Sequence, residues 1–302
     1  MNVYLIEDDP LTLVDAGPNS GTSFDELQRG IAGLGHSLED IELVIVTHQH
    51  IDHQGLVALV ASHSGAQVAA LDLAIPFLAN FAEEAQADDD FARDIMLRNG
   101  IPEDVVAALQ SVSRAFRAWG SKVEVTRPLR DGEAFELRDR TVHVHHRPGH
   151  SPTDTVFHDR ERRLLIAGDH LLGHISSNPL RTRPRDGTSG RPQALVQYLA
   201  SLAQTREMDV DVVLPGHGDP IEDHRALIDS RLELHTRRAD KIHRLLVEQP
   251  RSAYEIAQAL WGNIAVTQAY LTLSEVLGHV DLLLADGRAH EVAEDDVVHF
   301  AT

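Results

Sequence analysis

A short, dense cluster of metal-ligating residue types constrains this chain more than any other feature. Segment 48–55 reads His-Gln-His-Ile-Asp-His-Gln-Gly and directly follows the apolar run Leu43–Thr47, which is typical of a buried central strand. A strand end holds side chains rigidly and the turn after it lets them converge, so we predict a site for Zn²⁺, Fe or Mn²⁺. The side chains concerned are His48, His50, Asp52 and His53.

Three more candidate ligands follow three later strand-like segments, as a pair of metal sites would require. A glycine directly precedes each of them, which permits a tight turn and a close approach of the backbone. The recurrence of strand, glycine and ligand is stronger evidence than any one instance. The segments are Val142–His145 before His150, Arg163–Ala167 before Asp169, and Val210–Leu214 before His217.

The pattern His-x-His-x-Asp-His, followed in order by Gly-His, Gly-Asp and Gly-His, resembles the metallo-β-lactamase superfamily. The resemblance covers about residues 1–222 and implies an α+β fold, a four-layer αββα sandwich with a two-metal site at one edge of its sheets. It also implies a set of ligands. These are His48, His50 and His150 for the first metal, Asp52, His53 and His217 for the second, and Asp169 as the bridge.

The composition supports a nitrogen and oxygen ligand set. The chain has no cysteine, which excludes a thiolate site and a cysteine nucleophile, and it has 19 histidines. We expect two divalent metals, zinc first, with iron or manganese as alternatives. A hydroxide that bridges the metals would attack the substrate, with Asp52 orienting it, so no protein nucleophile is needed.

Residues near these ligands are candidates for the substrate side of the site. His170 and His174 follow Asp169, and one of them is a candidate proton donor to the leaving group; the alternative is that both are ordinary polar loop residues. The loop after them contains several arginines, which suit bidentate contacts to an anionic substrate but are also common in solvated loops. The candidate substrate residues are Arg181, Arg183 and Arg185.

Two segments depart from the strand-rich pattern of the catalytic part, which we place at 1–222. Residues 73–119 look like a helical insertion with breaks near Ala87–Asp90 and at Gly100–Pro102, serving as a lid, a pocket wall or a scaffold decoration. Residues 223–302 read as helices closed by a terminal hairpin, a winged-helix-like module. Because 252–287 contains no Lys or Arg, packing or dimerisation is favoured there over DNA binding.

Charge and hydropathy limit the partners. The formal net charge is −20, so nucleic acid is an unlikely partner. The N-terminus lacks the features of a signal peptide, and no run approaches the roughly 18 apolar residues of a membrane span. We therefore predict a cytoplasmic protein without membrane contact that acts on a small molecule, with a homodimer possible.

These features favour a binuclear metallo-hydrolase acting on a small-molecule ester, thioester or lactone, similar to hydroxyacylglutathione hydrolases. A metal-dependent ribonuclease or phosphodiesterase is one alternative, prompted by the C-terminal module and the arginine loop. A di-iron redox or dioxygenase member of the same superfamily is another. The identity of the bound metal and the turnover of thioesters against RNA separate the three.

Overall fold

The computed structural model describes residues 1–184, 192–294 and 296–302. Its first sheet has five strands in chain order, of which β1 and β2 are antiparallel and β2 to β5 are parallel. The carboxyl ends of the parallel strands therefore share one edge. The strands are β1 (Tyr4–Ile6), β2 (Thr12–Val14), β3 (Leu43–Val46), β4 (Gln67–Leu71) and β5 (Arg127–Leu129).

The second sheet also has five strands, in the order β10-β9-β8-β7-β6. Neighbouring strands are antiparallel except for β9 and β10, which run parallel and so end at the same edge. The strands are β6 (Ala134–Glu136), β7 (Thr141–His146), β8 (Thr155–Asp159), β9 (Leu164–Gly168) and β10 (Val212–Pro215).

Both faces of the sheets are covered, because alternate side chains of a strand point to opposite faces. In β3, Leu43 and Ile45 pack between the two sheets, whereas Val44 and Val46 pack against the outer helices of the first sheet. Val156 and Leu165 of the second sheet pack against its own outer helices. The chain is thus the predicted four-layer αββα sandwich.

The helices supply the outer layers and a further body of structure beside the site. Single 3-10 turns lie at Leu38–Asp40, Asp72–Ala74 and Arg117–Trp119. The α-helices are α1 (Gly21–Gly33), α2 (Ile51–Gln54), α3 (Val57–Ser64), α4 (Ile75–Ala79), α5 (Phe81–Arg98), α6 (Glu103–Phe116), α7 (Ala194–Arg206), α8 (His224–Glu248), α9 (Ala253–Trp261), α10 (Ile264–Thr267) and α11 (Ala269–Ala285).

The C-terminal segment combines four of these helices, α8 to α11, with a small antiparallel sheet. Its strands, β11 (Arg251–Ser252), β12 (His290–Glu294) and β13 (Val297–Ala301), have the order β11-β13-β12. Met96 and Val106 of the helical insertion share a hydrophobic core with Ile242 and Val276 of this segment. The helices of this segment thus pack on the insertion through a shared hydrophobic core. A separate winged-helix-like domain stays a prediction.

The break predicted near Ala87–Asp90 is wrong, because α5 continues through it. Asp89 accepts a hydrogen bond from Ser113 Oγ at 2.6 Å and pairs with Arg117, so α6 and the turn after it hold the acidic run inside the helix. The predicted break at 100–102 is present between α5 and α6. In the part of the chain that is described, no helix has the length and apolar character needed to cross a membrane.

Candidate binuclear metal centre

The seven predicted ligands come together where four strands or their following loops meet at one edge of the sandwich. The turn after β3 carries His48 and His50, and α2 after it carries Asp52 and His53, while β9 and β10 end side by side at Asp169 and His217. Glycine is required at Gly216, because a Cβ there would collide with the Asp169 carboxylate. The close approach predicted from the glycines is therefore real at this position.

Three imidazoles form the first group. His50 Nδ1 lies 3.0 Å from His48 Nε2 and 2.9 Å from His150 Nε2. Nitrogen atoms held by one tetrahedral Zn²⁺ at about 2.0–2.1 Å would stand roughly 3.3 Å apart. The three nitrogens are therefore nearly at ligand spacing.

The second group lies beside the first and mixes imidazole with carboxylate. Asp52 Oδ2 is 3.2 Å from His217 Nε2 and 3.7 Å from His53 Nε2. His53 is fully buried, whereas His217 and Asp52 are more than a third exposed. This group therefore faces the opening of the site.

Asp169 stands between the two groups. Its Oδ2 is 3.5 Å from His150 Nε2 in the first group and 3.5 Å from His217 Nε2 in the second. Its Oδ1 is 3.3 Å from His53 Nε2. A carboxylate in this place can contact a cation on either side, which is the bridging role that the sequence resemblance implies.

The hydrogen bonds behind the rings fix which nitrogen faces the centre. His150 Nδ1 donates to the Asn178 carbonyl at 3.2 Å, and His53 Nδ1 donates to Asp15 at 2.8 Å. Their Nε2 lone pairs consequently point inward. Such hydrogen bonds to carbonyl and carboxylate groups are the usual way proteins orient metal-binding histidines.

His48 is oriented in the same way through a relay. Thr47 Oγ1 donates to Asp15 Oδ2 at 2.8 Å and so accepts from His48 Nδ1 at 3.0 Å. The Thr47 backbone N–H also donates to Asp15 Oδ1 at 2.8 Å. Asp15 thus holds two of the candidate ligands, and the sequence motifs gave no sign of it.

Asp15 reaches this place through an unusual backbone conformation. It directly follows β2, has a φ of 57°, and donates its N–H to the Ile45 carbonyl at 2.8 Å. Aspartate is one of the few non-glycine residues that tolerate positive φ. The carboxylate is therefore turned under the β3 end and buried there.

The electrostatics keep part of the cluster neutral. Burial lowers the pKa of His48 well below its ordinary value and the pKa of His50 to about 3. Burial acts the same way on His53, but the carboxylates of Asp15 and Asp169 outweigh it and raise its pKa. A neutral imidazole is the form that binds a cation.

The residues fit a pair of cations, because some of their buried ligand atoms lack hydrogen-bond partners. Among the described residues, His53 Nε2 and Asp169 Oδ1 are buried without a hydrogen-bond partner, although they face each other. One proton cannot satisfy three converging ring nitrogens and two carboxylates. Cations held between these atoms would satisfy them all.

A cavity of about 640 Å³ opens on this centre. Candidate ligands form one end, and the helical insertion, the segment 180–182 and the start of α11 form most of the remaining wall. The insertion is therefore a wall of the pocket. The ligands on the cavity surface are His50, Asp52, His150 and Asp169.

The two candidate proton donors lie in different surroundings. His170 is fully buried, with Nε2 2.9 Å from Thr205 Oγ1 on α7, and burial lowers its pKa to about 3. His174 is mostly exposed, 3.7 Å from Asp219. The structure brings neither into the ligand cluster, because His170 turns back towards α7.

The arginines of the predicted anion clamp form ion pairs with carboxylates of the chain itself. Arg181 is buried and pairs with Asp281 at 2.8 Å. Arg183 bonds Asp88 at 2.8 Å and also pairs with Glu84. These pairings speak against a clamp at both positions, and Arg185 lies outside the described residues.

The double sheet and the two ligand groups at its edge define a binuclear metallo-hydrolase with an αββα sandwich. A family model described as the metallo-beta-lactamase superfamily matches residues 2–217. The chain belongs to this superfamily. The predicted family is thereby confirmed.

Named relatives and solved structures agree with this assignment. Probable metallo-hydrolase YqjP of Bacillus subtilis is 32% identical over 99% of this chain and 92% of its own length. The atrochrysone carboxyl ACP thioesterase dmxR1 of a Cryptosporiopsis species is 28% identical over 64% of this chain and 54% of its own length. A metallo-beta-lactamase family protein from Thermus thermophilus superimposes with a TM-score of 0.82 at 25% identity, covering 99% of this chain and 93% of that one.

Proposed function

We propose that the chain holds two zinc ions and hydrolyses a small-molecule thioester or ester. The first ion would be held by three imidazoles and the second by a mixed group, with Asp169 between them. An all-nitrogen and oxygen set of this size suits zinc. The ligands are His48, His50 and His150 for the first ion and Asp52, His53 and His217 for the second.

The observation that carries the proposal is the position of Asp169. Its carboxylate lies at equal distances from both groups and at the inner end of a pocket that can take an organic substrate. When bound, the metals would supply an activated water and polarise the substrate carbonyl. Relatives described as thioesterases support a thioester substrate.

The chain's own residues would position the reactants. Asp52 lies 3.2 Å from His217 and faces the opening, where its second oxygen can orient an attacking water. His50 and His150 line the same end of the cavity. The helical insertion lines the rest of this cavity and would shield that end from bulk water.

A phosphodiesterase is disfavoured by the charges around the cavity. Beyond the metals, binding of a phosphodiester is favoured by cationic side chains that contact its charged oxygens. Arg181 and Arg183 already bind carboxylates of the chain, and α5 adds Asp88 and Asp89 to the cavity surface. A di-iron redox role would show itself as iron in the purified protein.

The test uses the full chain purified without added metal and then loaded with zinc. Bound metal is measured by elemental analysis, and turnover is measured on S-lactoylglutathione, acyl thioesters, p-nitrophenyl esters, a lactone and bis(p-nitrophenyl) phosphate. We expect hydrolysis of thioesters or esters and none of the phosphodiester. Cleavage of the phosphodiester alone, or two irons with no hydrolysis, would overturn the proposal.

A pair of histidine variants controls this experiment. His217→Ala removes a candidate ligand, and we expect it to lose turnover together with one of the two bound metals. His63→Ala changes an exposed imidazole on α3, away from the centre, and we expect it to keep both. Equal activity of the two variants would speak against the assigned site.

A further inference from the structure

The cavity beside the metal centre has a mainly apolar wall. Three helices of the insertion contribute aromatic and aliphatic side chains, and α11 adds Tyr270 and Leu271. Several of these side chains are partly or largely exposed although they are large and apolar. The apolar side chains that matter here are Phe81, Phe91, Leu109, Val112, Phe116 and Leu271.

The charged side chains of the same wall form ion pairs within the protein, with two guanidinium groups pairing three carboxylates. Arg117 pairs with Asp89, and its NH1 bonds Gln86 at 3.0 Å. Glu84 pairs with Arg183. A charged group inserted among them would compete with ion pairs that are already formed, and it would lose its hydration without gaining a matching partner.

The reactive end and the apolar wall belong to one cavity. Asp52 and Asp169 line it together with Leu109 and Leu271. A carbonyl placed at the candidate metals would consequently send its acyl substituent along the insertion helices. A volume of about 640 Å³ leaves room for more than a short acyl group.

We propose that the helical insertion forms an acyl-binding pocket selective for uncharged, hydrophobic acyl groups of medium length. This inference rests on the proposed thioester or ester hydrolysis and adds the chemical class of the acyl group. The polar or charged leaving group stays at the open side, next to His217 and Asp52. Binding energy comes from transfer of the acyl chain out of water, so it grows with each methylene that enters the pocket.

The kinetic test is a series of thioesters with one leaving group and straight acyl chains from acetyl to decanoyl, hydrolysed by the zinc-loaded chain. We expect kcat/KM to rise by up to about fourfold for each methylene buried, until the pocket is full. A succinyl or glutaryl thioester, with a charge on the acyl chain, should be poorer than its uncharged counterpart of equal length. A flat series, or preference for the charged chains, would overturn the inference and leave the hydrolase function standing.

Two alanine-to-phenylalanine variants, one in the cavity wall and one outside it, show where the acyl chain binds. Ala85 lies on α5 in the cavity wall, and Ala85→Phe should reduce the decanoyl-to-acetyl ratio of kcat/KM at least tenfold by shortening the pocket. Ala107 is exposed on α6 outside the wall, and Ala107→Phe should keep the wild-type ratio. Equal ratios in both variants would show that the acyl chain lies elsewhere.

A binding measurement keeps the inference testable without turnover. Octanamide is uncharged and is not hydrolysed on the time scale of a thermal unfolding experiment, so it probes the pocket in chelator-treated protein. It should raise Tm where acetamide does not, and Ala85→Phe should lose the shift. If no ester or thioester is hydrolysed, the function fails while this shift still supports the pocket; if the shift is absent, the pocket inference fails.

Discussion

The carboxylate of Asp15 accepts the Nδ1 hydrogen of His53 at 2.8 Å, behind the metal-facing side of the ring. The same carboxylate accepts from Thr47, which in turn orients His48. One buried residue outside the ligand motif therefore sets the direction of imidazoles in both candidate groups. Its φ of 57° places the carboxylate there.

Asp15→Asn should weaken metal binding while preserving the fold. Asparagine tolerates the positive φ, but its amide cannot accept from Thr47 and His53 as a carboxylate does. Loss of such an orienting contact typically costs about 10–100-fold in metal affinity. Chelator competition measures it. Asp8→Asn, which changes a buried carboxylate paired with Arg140, serves as the control and should keep the wild-type affinity.

Asp169→Ala and His217→Ala should differ in the number of metals they retain. If Asp169 contacts both cations, its loss empties both sites, whereas loss of His217 spares the first group. Elemental analysis should therefore find about two metals per wild-type chain, about one in His217→Ala and few in Asp169→Ala. A similar content in the two variants would contradict the bridging position.

The ligand cluster was predictable because each ligand is tied to a strand end by local sequence. Leu43–Val46 is apolar on both faces, and the His-rich turn follows it at once. Parallel strands then bring the separate motifs to one edge. Asp15 was not predictable in this way, since Val14-Asp15-Ala16 has no ligand spacing and its role arises only from the lateral contact of β2 with β3.

The surroundings of the site depend on contacts between residues that are far apart in the sequence. The local sequence predicts a helix break at the acidic run of α5, but the run is helical and its carboxylates pair with Arg117 and Arg183. The same pairing engages an arginine that local sequence assigned to substrate. His170 likewise follows a ligand directly, yet the turn after β9 directs its ring to Thr205. Local patterns do not contain these tertiary partners.

His174→Ala should have little effect on turnover. The side chain is mostly exposed and its neighbour is Asp219, not a candidate ligand. Removal of a general acid typically costs about 10²–10⁴-fold in rate, whereas we expect a change in kcat below about threefold here. The comparison is made on a thioester and on an ester with a poor leaving group. A large loss restricted to the poor leaving group would restore His174 as the proton donor.

Acid should destabilise the fold through two buried histidines of the C-terminal segment. His235 Nδ1 lies 3.1 Å from His279 Nε2, and His279 Nδ1 donates to the Glu275 carbonyl at 2.7 Å. Burial lowers the pKa of both imidazoles to about 4. In the unfolded chain they take up protons at a pKa of about 6.5, so the unfolded state binds more protons below that pH.

The stability contributed by the neutral pair is therefore complete above about pH 6.5 and declines as the pH falls towards 4. Urea unfolding of chelator-treated protein between pH 7.5 and 4.5 measures the decline. His235→Asn removes one titrating group and should make the decline shallower, whatever its effect on stability at neutral pH. An unchanged slope in the variant would contradict the assignment.

The buried ion pair between Arg181 and Asp281 should be a major support of the cavity wall. The two side chains are 2% and 1% exposed and lie 2.8 Å apart, and the Arg181 backbone N–H also donates to Ser274 on α11. Asp281→Leu should lower the free energy of unfolding by about 3–5 kcal/mol, because it removes the carboxylate that faces a buried guanidinium. Arg181→Met together with Asp281→Leu should cost less than the single change.

Glu233→Gln breaks an exposed pair with Arg237 and should cost under about 1 kcal/mol. If Asp281→Leu costs no more than Glu233→Gln, the pair does not anchor the segment that carries Leu180 to α11.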